Sequence, residues 1–229
     1  MSNPVRFILT DIEGTTTAIS FVADELFPYF RKNIGDLLQL KDLSVVKEAF
    51  DETVSLAHSA DGISLSSDEE IIETLRRWSI EDRKITPLKT LQGILWEKGY
   101  LDGTLKGHLY DDVAPKLKAW HAAGIGLGVF SSGSMAAQKL LFGNSVAGDL
   151  TPLFSHFFDT TAGGTREITT YRTISSKLLI PAENILFLSD IREELEAAKE
   201  AGYQTIQLLR PGTEKAWEQV AADFTEISI

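Results

Sequence analysis

The chain has 229 residues, with 33 Asp and Glu against 22 Lys and Arg, a formal charge of −11 and no cysteine. That charge argues against nucleic acid, whose phosphate backbone demands a basic face. The missing cysteine removes disulfides, thiolate metal sites and a cysteine nucleophile, so a covalent mechanism would need an oxygen nucleophile. With 43% hydrophobic and 24% charged residues the chain can bury a full core and still carry a smaller module.

The first predicted element is a short buried strand, Val5 to Leu9, that runs into Thr10-Asp11-Ile12-Glu13-Gly14-Thr15-Thr16. It delivers two carboxylates, Asp11 and Glu13, to a turn opened by Gly14, where both can converge on one small ligand. The period then becomes helical. Phe21, Val22, Leu26, Phe27 and Phe30 mark a helix with Ser20 available as its N-cap, and further helices are predicted at Leu43 to Ala57, Ser67 to Trp78 and Pro87 to Lys98. No strand pattern interrupts them, so residues 18–105 read as an inserted all-helical cap between the two parts, 1–17 and 106–229, of one core.

The alternation resumes with a helix from Asp111 to Ala123, stopped by Gly124, and a strand from Ile125 to Phe130. The phrase Gly124-Ile125-Gly126-Leu127-Gly128 is not a dinucleotide fingerprint, because its glycines precede and enter the strand instead of following it. The hydroxyl-rich turn Ser131-Ser132-Gly133-Ser134 then opens a helix from Met135 to Phe142. A strand at His156 to Phe158, a Gly-rich loop at Thr160 to Arg166 and a helix at Thr169 to Leu179, ended by Pro181, come next. The strand Ile185 to Leu188 leads into Ser189-Asp190 and an acidic helix from Arg192 to Ala201. Tyr203 to Leu209 reads as a last core strand, followed by the turn Arg210-Pro211-Gly212, a short helix and a polar tail. Strands alternating with helices predict an α/β fold with a parallel sheet.

Three strand ends carry polar groups: Asp11 with Glu13, Ser131 with Ser132, and Asp190. In a parallel sheet all of them face one edge, the edge where such folds bind ligands. The set matches phosphoryl transfer. Asp11 would attack phosphorus, and a divalent cation, Mg²⁺, would bridge Asp11, Asp190 and the phosphate. Ser131, with the N–H groups of the following helix start, would grip the phosphoryl oxygens. Glu13 would act as general acid and then base. Glu194 would support the metal site from behind. His58, His108, His121 and His156 have no metal-ligand spacing.

These phrases resemble the haloacid dehalogenase superfamily of phosphohydrolases, with Glu13 in place of the second aspartate of its Asp-x-Asp motif. Within it, the chain is similar to the enolase-phosphatases, or acireductone synthases, of methionine salvage. Leu26-Phe27-Pro28-Tyr29, Glu81-Asp82-Arg83-Lys84, Leu91-Gln92-Gly93, Ser131-Ser132-Gly133-Ser134, Gln138-Lys139-Leu140-Leu141-Phe142-Gly143, Phe158-Asp159-Thr160 and Tyr171-Arg172 carry the likeness. The resemblance implies a Rossmann-like core with a helical cap. It also implies Mg²⁺ held by the Asp11 side chain, the Glu13 carbonyl and Asp190, with phosphate or substrate contacts from Ser131 and Ser132. The substrate it implies is a small-molecule phosphate ester, 2,3-diketo-5-methylthiopentyl-1-phosphate, which is enolised and then dephosphorylated.

One motif departs from the family pattern. Where the family carries a lysine in Gly-x-Lys-x-Glu, this chain has Gly163-Gly164-Thr165-Arg166-Glu167, with Thr165 at the lysine position and Arg166 beside it as the candidate replacement charge. The expected protein is a cytoplasmic monomer, without a signal peptide or a membrane span. Another Mg²⁺-dependent phosphatase of the same fold and a non-catalytic phosphate-ester binder are the alternatives.

Overall fold

The computed structural model describes residues 3–229, which divide into two compact units, one built from the residues up to Phe21 with Lys106–Ile229 and the other from Val22–Leu105. In chain order the elements are β1 (Phe7–Thr10), α1 (Ile19–Phe21), α2 (Phe27–Asn33), α3 (Ser44–Asp61), α4 (Asp68–Ile80), α5 (Thr86–Leu101) and α6 (Val113–Ala122). They continue with β2 (Gly126–Phe130), α7 (Met135–Gly143), β3 (His156–Phe158), α8 (Ile168–Leu178), β4 (Ile185–Ser189), α9 (Arg192–Glu200), β5 (Gln204–Leu208) and β6 (Val220–Ala221).

The first unit is one six-stranded, all-parallel sheet in the order β3-β2-β1-β4-β5-β6. β1 and β4 lie in its middle and are buried at every residue, as a strand covered on both faces must be. Thr10 is in register with Val129 on one side and Leu188 on the other, so the three strand ends that carry Asp11, Ser131 and Asp190 lie side by side. The glycines of β2 have a packing reason. A Cβ on Gly126 would stand 2.5 Å from the Phe7 ring, and one on Gly128 would stand 2.8 Å from it, so this aromatic side chain lies where two side chains are missing. The core on one face gathers Phe7, Leu9, Phe130, Tyr171, Phe187, Leu195 and Tyr203.

The second unit is helical throughout, with Phe30, Leu37, Phe50, Leu75, Trp78, Leu88 and Leu91 in its core. The sequence explains its ends. Ser67 accepts the N–H of Glu70 while the Glu70 carboxylate accepts the N–H of Ser66, and α3 stops at Gly62 with φ +68°. The family phrase Glu81-Asp82-Arg83-Lys84 is structural here: Arg83 pairs with Asp61 at 2.9 Å and lies over the Trp78 ring, whose Nε1 donates to the same carboxylate.

Two local expectations fail. Ser20 lies inside the first helical turn, not at its cap, and the chain widens into a π turn at Val22–Leu26 before α2. Pro28, in the first turn of α2, has no N–H to offer the carbonyl one turn back, so the α-helical ladder is interrupted there, and Trp96 Nε1 donates to the nearby Leu26 carbonyl at 2.9 Å. After Gly212 there is no α-helix; the segment crosses to form β6 against β5 and ends in a single 3₁₀ turn, Phe224–Glu226. Gln207 is the cause, because its side chain engages the backbone of Glu214 and Ala216, which a helix would need for itself.

Candidate active site

The loop after β1 winds around one carbonyl. The N–H groups of Thr15, Thr16 and Thr17 all donate to the Ile12 oxygen, at 3.2, 2.9 and 3.0 Å, and Gly14 supplies the left-handed residue (φ +73°) that this winding requires. Strand β1 has already ended at Thr10, so Asp11 and Glu13 stand past it, where the chain winds into this turn. The N–H of Asp11 donates to the Leu188 carbonyl at 2.9 Å, which fixes the first aspartate against the end of β4.

Asp190 sits against the same loop. Its backbone N–H donates to the Thr15 hydroxyl at 3.1 Å, and that hydroxyl lies 3.3 Å from its Oδ1. Its carboxylate rests on Gly14, where an added Cβ would fall 2.3 Å from Oδ2. Asp11, Asp190 and Glu194 are all buried, at 6%, 7% and 7% exposure. Burial raises the Asp11 carboxyl well above its ordinary value, and the charges of Glu194 and Asp190 raise it further. Burial likewise raises Asp190 and Glu194. Carboxylates crowded in this way either keep a proton or are relieved by a cation.

Glu194 is held by the Ser189 hydroxyl at 2.8 Å and by the Thr165 side chain, and Arg166 favours its charged form electrostatically. Thr165 and Arg166 therefore reach the site through Glu194. Tyr171, buried behind them, donates to the Thr165 carbonyl at 2.6 Å. Ser131 is buried, with its N–H donating to the Phe158 carbonyl at 3.3 Å, whereas Ser132 is exposed. Two N–H groups at the start of α7 are already used: Met135 donates to Asp159 and Ala137 to Ser134. That leaves the Met135 and Ala137 N–H groups out of the expected phosphate grip. Gln138 keeps the turn in place by donating to the carbonyls of both Gly133 and Phe158 at 2.8 Å.

Among the described residues no three His, Cys, Asp or Glu side chains form a complete metal cage. Two buried carboxylates, Asp11 and Asp190, are hard oxygen donors that suit a hard cation keeping several waters, as Mg²⁺ does, so the residues present fit that ion. Sequence reasoning missed Thr15, Gln207 and Arg210 as parts of this region. The run of threonines after Gly14 was the only local sign of the first.

A model of the haloacid dehalogenase-like hydrolase family matches residues 5–202. Enolase-phosphatase E1 of a Picosynechococcus species is 49% identical over 225 residues, covering 98% of each chain. The chain belongs to the haloacid dehalogenase-like hydrolases and, within them, to the enolase-phosphatase E1 group. The enolase-phosphatase E1 of Methylococcus capsulatus is 50% identical and covers 97% of each chain. Among solved structures the UTR4 protein of Saccharomyces cerevisiae superposes with a TM-score of 0.81 at 31% identity, over 97% of this chain and all of its own. The loop of Asp11 to Thr17, the Ser131 turn and Asp190 all lie within the span that the hydrolase family matches. Among the described residues no helix is long and apolar enough to cross a membrane.

Proposed function

We propose that the chain converts 2,3-diketo-5-methylthiopentyl-1-phosphate to the acireductone 1,2-dihydroxy-3-keto-5-methylthiopentene and phosphate, as a cytoplasmic, monomeric enzyme of methionine salvage. The placement of Asp11 and Asp190 just past the ends of adjacent central strands, with the Asp11 N–H bonded to Leu188 of β4 and Asp190 bonded to Thr15 of the loop that follows Asp11, carries the phosphoryl-transfer reading. The enolase-phosphatase relatives supply the choice of substrate. In enolisation a proton leaves C1 and the C2 carbonyl oxygen gains one. An Asp11 oxygen then bonds to phosphorus as the bond from phosphorus to the C1 oxygen breaks, and Glu13 donates a proton to the departing oxygen. Glu13 next takes a proton from water, whose oxygen displaces Asp11 from phosphorus and regenerates the carboxylate. Ser131 and Ser132 hold the phosphoryl oxygens through both displacements. Thr165 orients Glu194, and Arg166 supplies the positive charge that the family's lysine would provide. Mg²⁺, held by the Asp11 and Asp190 carboxylates and the Glu13 carbonyl, would offset the charge of phosphate and acidify the carbon next to a ketone. Residues 18–105 are proposed to confer selectivity for the methylthio diketone.

Product analysis tests this reading. Acireductone and phosphate should appear together from the diketone phosphate when Mg²⁺ is present, and Asp11→Asn should release no phosphate. Phosphate released equally from many unrelated esters would make the protein a general phosphatase. Tight ester binding without turnover would favour the second reading, a binding protein, which rests on Thr165 standing at the lysine position.

A further inference from the structure

Arg210 looks like a turn residue in the sequence, yet it is only 5% exposed. Its Nη1 and Nη2 donate to the two oxygens of Asp112 at 2.8 and 2.7 Å, and its Nε donates to the Thr15 carbonyl at 2.9 Å. The guanidinium lies 4.1 Å from the centre of the Tyr110 ring and 5.4 Å from that of Phe224. A bidentate pair, a third directed bond and a ring face together leave a planar fork one orientation. The strut itself is anchored, because Asp112 also accepts the Phe224 N–H at 2.8 Å and the Tyr110 N–H donates to the Thr16 carbonyl at 3.1 Å.

The bond to Thr15 matters because of what the same residue does at its other end. Arg210 grips the Thr15 carbonyl, and the Thr15 hydroxyl meets both the backbone N–H and the carboxylate of Asp190. Gln207 in turn donates to the Asp190 carbonyl at 3.0 Å. Asp190 is thus bonded directly by Thr15 and Gln207, and Arg210, in the turn after β5, reaches it through Thr15; the proposed chemistry uses neither Gln207 nor Arg210.

We propose that Arg210 is a positioning residue for the metal site, acting through Thr15 to hold Asp190 where it can ligate Mg²⁺. This rests on the reading of Asp190 as a metal ligand. The rival is a plain stabilising ion pair with Asp112, and the two separate in a double variant. Arg210→Met with Asp112→Asn removes both charges and keeps an acceptor for the Phe224 N–H, but leaves the Thr15 carbonyl without its donor.

Metal-free proteins would be titrated with MgCl₂ in a calorimeter and melted in EDTA, and the half-saturating Mg²⁺ for phosphate release compared with KM for the ester. The double variant should melt close to the wild type yet bind Mg²⁺ about 10- to 100-fold more weakly, with a larger change in half-saturating Mg²⁺ than in KM. Mg²⁺ affinity equal to that of the wild type would overturn the inference. If the double variant does not fold, Arg210→Lys keeps a charge beside Asp112 but cannot reach both partners. It should show the same weakening, and wild-type affinity in it would overturn the inference equally. A wild-type protein that binds no Mg²⁺, with Asp190→Asn as the matched control, would overturn the metal reading itself.

Discussion

Gly14→Ala should disable the site with little damage to the fold. Gly14 has φ +73°, where an alanine costs about 1–2 kcal/mol of stability. Its new Cβ would also sit 2.3 Å from Asp190 Oδ2, 2.5 Å from Cγ and 2.8 Å from Oδ1. Ordinary van der Waals contact begins near 3.4 Å, so the carboxylate must retreat by 3.4 − 2.3 = 1.1 Å or the loop must open by as much. A displacement of about 1 Å in a catalytic constellation costs on the order of 100-fold in rate. Gly124→Ala is the control. Gly124 has φ +81° with nothing within 4 Å of the added Cβ, so the backbone cost is matched and the contact is absent. Both variants would be melted and assayed for phosphate release over a range of Mg²⁺ concentrations. Similar melting temperatures are expected, with turnover lost only in Gly14→Ala. Retention of turnover within about threefold in Gly14→Ala would refute the argument that the Asp190 carboxylate must occupy its present place.

Three further outcomes are expected. Arg166→Ala should lower phosphate release about 10- to 100-fold by removing the charge beside Glu194, and unchanged turnover would show that the missing lysine is not replaced by Arg166. Burial raises the carboxyls of Asp11, Asp190 and Glu194, so the native state holds their protons more tightly than the unfolded chain does. Their contribution to stability is complete below the unfolded values of 3.8 and 4.5 and is lost as pH rises through the higher native ones. In EDTA the wild type should therefore lose more stability than Glu194→Gln as pH rises above the unfolded value of 4.5, and equal slopes in urea titrations would refute the crowding of charge. Phe187→Ala, at a fully buried site on β4 with its ring 5.2 Å from that of Tyr171, should cost about 3–5 kcal/mol by chemical denaturation. A loss below about 1 kcal/mol would contradict the packing described for that face.

The alternation of strand and helix, the run of helices between β1 and β2 and the identity of the polar groups at the strand ends were legible in the amino-acid order alone. Those features are local. A buried strand such as Ile185 to Leu188 shows its burial in its own apolar run, and Asp190 follows from simple adjacency to it. The sequence also showed that Thr165 departs from its family, but not what that residue touches. Tertiary structure decided that Thr165 and Arg166 act on Glu194, that Asp159 caps α7, and that Arg210 joins Asp112 to Thr15. The partners of Arg210 lie 98 and 195 positions away along the chain, and the Thr15 hydroxyl reaches across 175 to Asp190. Hydrogen bonds at such separations leave no periodicity to read. Their partners are chosen by which strand lies beside which, and a parallel sheet ordered β3-β2-β1-β4-β5-β6 places its neighbours without regard to their distance in sequence.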